Sequence, residues 1–215
     1  MTDPHHDGAP QLAVRDLACQ RGDRLLFDAL GFDVRGGEAL VVEGANGAGK
    51  TSLLRILAGF IRPLAGRILW CGREVEPSDA AYRGAVSYIG HAAGLKESLT
   101  ALENVAIALV LGHTHAGASA ADALARVGLG GFEDAPVRQL SAGQRRRVAL
   151  ARLPVAATPI WLLDEPLTAL DVAGRETVES LLASHLAAGG IAVLTTHAPV
   201  RIDGAVVRRL EIAGD

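Results

Sequence analysis

Residues 44–51, GANGAGKT, constrain the fold of this chain more than any other stretch of its sequence. They match the pattern G-x-x-x-x-G-K-[ST] and lie between an apolar run at residues 39–43 and a helical pattern from residue 50 to about residue 58. Glycines let successive backbone N–H groups turn inward around a phosphate, and the positive end of the following helix adds to the attraction. The stretch therefore predicts a strand, a phosphate-binding loop and a helix, in that order.

Two side chains at the end of the loop indicate which phosphates it binds. Lys50 supplies a positive charge for the β- and γ-phosphates of a nucleotide, and Thr51 offers a hydroxyl to Mg²⁺. A flexible turn before a helix would explain the glycines but not the Lys-Thr pair. The predicted nucleotide-binding residues are Gly44, Ala45, Asn46, Gly47, Ala48, Gly49, Lys50, Thr51 and Ser52.

Apolar runs that alternate with helical patterns predict an α/β fold around a largely parallel sheet. Residues 160–163 and 191–194 are short apolar runs bounded by turn residues, as expected of central parallel strands. Residues 67–70 and 85–89 predict further strands. Between about residues 100 and 151 the patterns are helical and rich in alanine, with a loop near residues 112–121, which predicts a helical insertion in the sheet domain.

The apolar run at residues 160–163 continues into two carboxylates. Asp164, at the carboxyl end of the predicted strand, can reach the coordination shell of Mg²⁺. Glu165 is expected to point elsewhere because side chains alternate along a strand, and it is then free to orient or deprotonate an attacking water. An acidic turn before Pro166 is the alternative, but beside a phosphate loop ATP hydrolysis is the stronger account.

Residues 140–144, LSAGQ, precede a helical stretch and form a second candidate anion site. Ser141 and Gln144 fit a capping box, which leaves a helix N-terminus with Gly143 beside it. A second copy of the chain, paired head to tail, could bring this helix end to the γ-phosphate from the far side. Residues 145–147, three arginines, are interpreted as a solvated helix face.

These segments together resemble the ATP-binding cassette (ABC) family, over about residues 11–211. The family's signature is usually LSGGQ, so in Leu140, Ser141, Ala142, Gly143 and Gln144 only the third residue departs from it. Residues 168–171 resemble the loop that crosses the family's dimer interface, which implies interface roles for Ala169, Leu170 and Asp171. His197 resembles the switch histidine that contacts the γ-phosphate.

The resemblance implies an α/β fold of the P-loop NTPase class. It has a mostly parallel sheet core, a small antiparallel β subdomain and a helical insertion. The implied division is a core of residues 11–90 and 155–211, a helical subdomain of about residues 91–154, and a disordered tail at residues 1–10.

A narrower resemblance is carried by His91, which stands where ABC proteins usually have a glutamine. Together with residues 140–153 and 195–199, it resembles the ATP-binding subunit of the haem exporter of cytochrome c maturation. An imidazole there would replace an amide, since a neutral histidine offers one donor and one acceptor. Residues 18–23 lack the aromatic that usually stacks on adenine, and Arg21 could stack in its place.

This narrower resemblance implies an ABC-type ATPase that uses ATP and Mg²⁺, with Glu165 and His197 as catalytic residues and with Thr51 and Asp164 as Mg²⁺ ligands. Its implied partners are a second ATPase subunit, two integral membrane subunits and an accessory haem-handling protein. The implied location is the cytoplasmic face of the bacterial inner membrane. Two alternatives stay open: an ABC transporter for another substrate, or a slowly hydrolysing switch that dimerises on ATP.

Composition excludes several other classes of protein. The net charge of −3 gives no basic balance suited to nucleic acid. Cys19 and Cys71 are far apart and outside any C-x-x-C pattern, which argues against a zinc site or a disulfide framework. No apolar run approaches the roughly 20 residues that a membrane-spanning helix needs.

Overall fold

Two β-sheets of different kinds and a group of helices make up the fold. It is seen in a computed structural model that describes residues 11–111 and 119–213. The tail predicted at residues 1–10 and most of the loop predicted near residues 112–121 lie outside the described residues.

The larger sheet is parallel and has the strand order β6-β7-β8-β3-β9. Its central strands β7 and β8 are fully buried, as their unbroken apolar sequences predict for a sheet covered on both faces. The register pairs Asp164 with Thr195, so a carboxylate and a hydroxyl meet at the carboxyl edge. The strands are β3 (Glu38–Glu43), β6 (Val86–Ile89), β7 (Ile160–Asp164), β8 (Ile191–Thr195) and β9 (Val206–Glu211).

The smaller sheet is antiparallel, with the order β2-β1-β4-β5. It confirms the expected small antiparallel sheet, and it contains the strand predicted at residues 67–70. Arg21, the last residue of β1, lines the same cavity as the phosphate loop. The strands are β1 (Gln11–Arg21), β2 (Arg24–Arg35), β4 (Ala65–Trp70) and β5 (Arg73–Val75).

Three helices form the predicted helical insertion, because α3, α4 and α5 all pack against one another. The helix after the phosphate loop, α1, ends one residue earlier than predicted, and Gly59 follows it with a left-handed backbone (φ 77°). The helices are α1 (Lys50–Leu57), α2 (Ala80–Gly84), α3 (Ala101–Leu111), α4 (Ala120–Arg126), α5 (Ala142–Ala156) and α6 (Val172–Ala187). Within the described ranges, every helix is too short or too polar to cross a bilayer.

Side chains that alternate along the strands of the parallel sheet pack into two separate apolar cores. Val41, Leu163 and Leu194 face the core shared with α5 and α6. Leu40 and Leu162 face the core shared with α1 and the antiparallel sheet. This alternation fixes the sheet between two layers, so that its carboxyl edge is the place where loops from both layers meet.

Candidate functional site

The loop at residues 44–51 has the strand–loop–helix geometry that the sequence predicts. Gly44, Gly47 and Gly49 have positive φ angles of 142°, 83° and 107°, in the region that favours glycine. A Cβ on Gly44 would lie 2.5 Å from the carbonyl oxygen of Ile212, so the loop passes too close to the end of β9 for a side chain. Gly49 is the N-cap of α1, which points the amino end of that helix into the loop.

Lys50 lies inside the curve of the loop with only 9% of its surface exposed. Its Nζ donates to the carbonyl oxygens of Gly44 at 2.7 Å and Ala45 at 3.1 Å. These bonds leave one of the three ammonium donors available. A buried ammonium beside a helix amino end is a strong site for the phosphates of a nucleotide.

Asp164 is 2% exposed and receives hydroxyl donors from two sides. Thr51 Oγ1 donates to Oδ2 at 3.0 Å and lies 3.2 Å from Oδ1, while Thr195 Oγ1 donates to Oδ1 at 2.8 Å. The Thr51 hydroxyl and the Asp164 carboxylate are hard oxygens of the kind that Mg²⁺ prefers. Nucleotide sites typically hold Mg²⁺ by one or two such groups and by phosphate oxygens. The donor set therefore fits Mg²⁺.

Glu165 turns away from the strand for a reason other than the predicted one. Strand β7 ends at Asp164, and Glu165 has a left-handed backbone (φ 55°), so alternation along a strand does not set its direction. Its N–H is bonded to Thr195 Oγ1 at 3.0 Å and to the Thr195 carbonyl at 3.2 Å. Its carboxylate accepts from Thr168 Oγ1 at 3.3 Å.

His197 lies beside this carboxylate, with Nε2 at 3.3 Å from Oε1 of Glu165. The histidine side chain is 60% exposed and the glutamate side chain is 17% exposed, so the pair extends from a shielded carboxylate to the solvent. One cavity of about 700 Å³ joins the pair to the phosphate loop. Among its lining residues are Arg21, Asn46, Gly47, Gly49, Lys50, Thr51, Ser52, His91, Asp164, Glu165 and His197.

One residue of the predicted signature at residues 140–144, Ala142, lies on a second cavity of about 500 Å³. Its capping box is present, since Ser141 Oγ accepts from the N–H of Gln144 at 3.2 Å and Gln144 Oε1 accepts from the N–H of Ser141 at 2.9 Å. Leu140 is buried, and Ala142 lines this cavity together with Glu165. The predicted signature is thus near Glu165, and none of its residues lines the cavity that contains the phosphate loop.

In the predicted interface loop, residues 168–171, fewer side chains are available to a partner than the sequence suggests. Leu170 is 7% exposed, and Asp171 caps α6 by accepting from the N–H of Gly174 at 2.8 Å. Ala169 lines the second cavity and approaches the signature so closely that a Cβ on Gly143 would lie 2.7 Å from its carbonyl oxygen.

His91 is exposed and lines both cavities. It therefore lies between the cavity of the phosphate loop and the cavity that Ala142 lines. Its neighbours are anchored by α5, because Arg152 donates to the carbonyls of Ala93 at 2.6 Å and Gly94 at 3.1 Å.

The interpretation of residues 145–147 as a solvated face is wrong for Arg146, which is 6% exposed. Burial lowers the pKa of Arg146, but guanidinium groups titrate so far above neutrality that it stays charged. The helical spacing of the sequence indicates this burial, because Arg146 lies on the same face of α5 as the buried residues Ala149, Leu150 and Leu153.

The sequence prediction also missed Thr195. Its hydroxyl is fully buried at the end of an otherwise apolar strand.

Comparisons with known proteins agree with this geometry. Residues 27–168 match the family described as ABC transporter. The chain is 51% identical over 194 residues to the cytochrome c biogenesis ATP-binding export protein CcmA of Methylococcus capsulatus, covering 90% of this chain and 94% of that protein. It is 47% identical over 201 residues to the protein of the same description from Escherichia coli O157:H7, covering 94% and 96%.

A solved structure shows the same fold. The dimeric structure of an ATP-binding cassette in a post-hydrolysis state, bound to ADP and Pi, superposes with a TM-score of 0.77 at 25% sequence identity. The superposition covers 87% of this chain and 88% of that one.

Proposed function

The chain belongs to the ABC transporter family, and within it to the cytochrome c biogenesis ATP-binding export proteins, and we propose that it is the ATP-hydrolysing subunit of a haem exporter. The observation that carries the proposal is the convergence of Lys50, Thr51, Asp164 and Glu165 on one cavity. Cytochromes of the c type hold haem at C-x-x-C-H motifs, and this sequence contains no such motif. We assign the contact with haem to its partners.

The site residues divide the hydrolysis of ATP among them. Lys50 and the N–H groups of residues 44–51 bind the β- and γ-phosphates. Glu165 accepts a proton from a water molecule whose oxygen attacks the γ-phosphorus, while the bond to the β–γ bridging oxygen breaks to leave ADP and phosphate. His197, 3.3 Å from the same carboxylate, contacts the γ-phosphate side of the site. Thr51 and Asp164 would hold Mg²⁺, which neutralises charge that develops on the phosphates.

Arg21 takes the place of the missing adenine aromatic. It lines the nucleotide cavity at the end of β1, and Leu26 and Gly47 line the same cavity. A guanidinium plane stacks on aromatic rings, so an arginine in a cavity that an apolar side chain also lines is a suitable platform for the adenine base.

The signature acts on the nucleotide of a second copy. Residues 140–144 lie outside the cavity of their own phosphate loop, and the superposed ATP-binding cassette is a dimer. Head-to-tail pairing would present the amino end of α5, with Gly143 and the capped Ser141, to the partner's γ-phosphate. Ala169 and its neighbours would lie in the same interface.

Two integral membrane subunits and an accessory haem-handling protein complete the proposed complex, at the cytoplasmic face of the bacterial inner membrane. Support comes from the relatives, which are named as export proteins, and from an apolar face on α3. There Ile107 is 39% exposed and Val110 is 83% exposed, as expected of a surface that meets another protein.

The experiment that tests this proposal has two parts. The complex, purified with its membrane subunits, is expected to hydrolyse Mg²⁺-ATP, and turnover is expected to fall by at least about 100-fold in Lys50→Ala and Glu165→Gln. Deletion of the gene is expected to remove c-type cytochromes while b-type cytochromes persist. Normal c-type cytochromes in the deletion strain would rule out the haem function and leave an ABC ATPase for another substrate.

A further inference from the structure

The backbone of Glu165 is held in a conformation that a glutamate rarely adopts. Its φ of 55° lies in the left-handed region, which is sterically unfavourable for L-residues that carry a Cβ. Such conformations persist where surrounding contacts over-determine them. Thr195 fixes the N–H of Glu165, and the carbonyls on either side, of Asp164 and Pro166, are both bonded by one side chain.

That side chain is Arg146 of the signature helix α5. Its Nη2 donates to the carbonyl of Asp164 and its Nε, at 3.4 Å, to the carbonyl of Pro166. The remaining nitrogen, Nη1, donates to the carbonyl of Gly90 at 2.7 Å, immediately before His91. A single buried guanidinium therefore ties together the signature helix, the loop of the catalytic base and the loop of His91.

We propose that Arg146 is the positioning residue that aims the Glu165 carboxylate at the attacking water and couples this aim to the position of α5. The inference rests on the proposed ATPase function and deepens it. Only the planar fork of an arginine can donate in three directions from one fixed plane, whereas a lysine ammonium is a compact point charge on a flexible stem. A shift of α5 relative to the sheet must move Arg146, and with it the peptide group that precedes Glu165 and the peptide group that follows Pro166.

Arg147 provides a matched control on the same helix. Its Nη1 donates to the carbonyls of Val127 at 3.3 Å and Gly128 at 3.0 Å, both at the end of α4. Arg147→Lys therefore disturbs arginine–carbonyl bonds of the same kind without touching the bonds around Glu165. The two variants separate the positioning of the base from general weakening of the helical insertion.

The test uses the complex with its membrane subunits and compares wild type, Arg146→Lys and Arg147→Lys. Arg146→Lys is expected to lower kcat by about 10- to 100-fold, the loss typical of a slightly misplaced catalytic group, with KM for ATP within about twofold of wild type. Arg147→Lys is expected to keep the wild-type kcat, even if the Tm values of both variants fall by similar amounts. Equal kcat in wild type and Arg146→Lys, or a matching loss of kcat in Arg147→Lys, overturns the proposal.

A double mutant supplies a readout that a purely structural role would not produce. In a Glu165→Gln background the base is already lost, so Arg146→Lys is expected to reduce the residual single-turnover rate by less than about twofold. Full additivity of the two losses overturns the proposal. If Arg146→Lys does not accumulate, Arg146→Gln, which keeps an amide donor, is measured with the same expectations. A wild-type complex without ATPase activity would instead refute the proposed function itself, before any Arg146 variant is compared.

Discussion

Replacing Thr195 by valine tests whether one buried hydroxyl organises the two acidic residues of the site. Thr195 is fully buried, and its Oγ1 donates to Asp164 Oδ1 at 2.8 Å while accepting from the N–H of Glu165 at 3.0 Å. Valine has nearly the same shape but can neither donate nor accept. Thr195→Ser is the matched control, because it keeps the hydroxyl and loses one methyl group.

The expected cost follows from the bonds that are lost. A hydrogen bond to a charged group contributes about 1.5–3 kcal/mol, and the hydrogen bond from the Glu165 N–H to the hydroxyl contributes about 1 kcal/mol. In the valine variant the Glu165 N–H retains its second hydrogen bond, to the carbonyl oxygen of residue 195 at 3.2 Å. Thr195→Val is therefore expected to lower the free energy of unfolding by roughly 2–4 kcal/mol. Thr195→Ser loses one buried methyl, which costs about 1 kcal/mol.

Thermal and urea unfolding of the two variants measure this difference. For a chain of this size, 1 kcal/mol shifts Tm by about 2–4 °C, so the valine variant is expected to melt several degrees below the serine variant. A valine variant at least as stable as the serine variant would refute the reasoning, because it would show that the hydroxyl contributes less than the methyl group.

Three further predictions concern glycines and a partly buried histidine. Gly59 and Gly189 both follow a helix with positive φ, but only a Cβ on Gly59 meets backbone, at 2.2 Å from the Pro77 carbonyl oxygen. Gly59→Ala is therefore expected to lower Tm clearly more than Gly189→Ala, and equal shifts would contradict this. Gly190→Ala should also destabilise, since its Cβ would lie 2.2 Å from the His185 ring, and a Tm equal to wild type would argue against that contact. Burial lowers the pKa of His185, so protonation is disfavoured in the folded state, and stability is complete above the unfolded pKa of about 6.5 and is lost as pH falls below it. His185→Phe, which keeps a ring on Trp161, should flatten that pH dependence of urea unfolding, and an unchanged slope would count against it.

Local patterns predicted the parts of the molecule that local chemistry determines. The phosphate loop forms as expected because three glycines permit its positive φ angles and Lys50 fills its interior. The strands at residues 160–163 and 191–194 were visible as apolar runs because both of their faces are buried. The antiparallel sheet was expected from the family resemblance rather than from its own residues.

Features set by tertiary contacts were not visible in the same way. The left-handed backbone of Glu165 depends on bonds from Thr195 and Arg146, which are distant in sequence. A run of three arginines suggested a solvated face, yet the middle one satisfies three carbonyls in the interior. The charge of the three arginines alone therefore gave the wrong prediction for Arg146, whereas its helical spacing with Ala149 and Leu150 indicated the buried face of α5.

Complementation of a strain that lacks this gene tests the central claim most directly. The measurement is the haem-dependent absorbance of c-type cytochromes in cells that express wild type, Lys50→Ala or Glu165→Gln at equal protein levels. Wild type is expected to restore c-type cytochromes, whereas neither variant does. Full restoration by Glu165→Gln would contradict the claim, because it would show that ATP hydrolysis at this site is not needed for cytochrome c biogenesis.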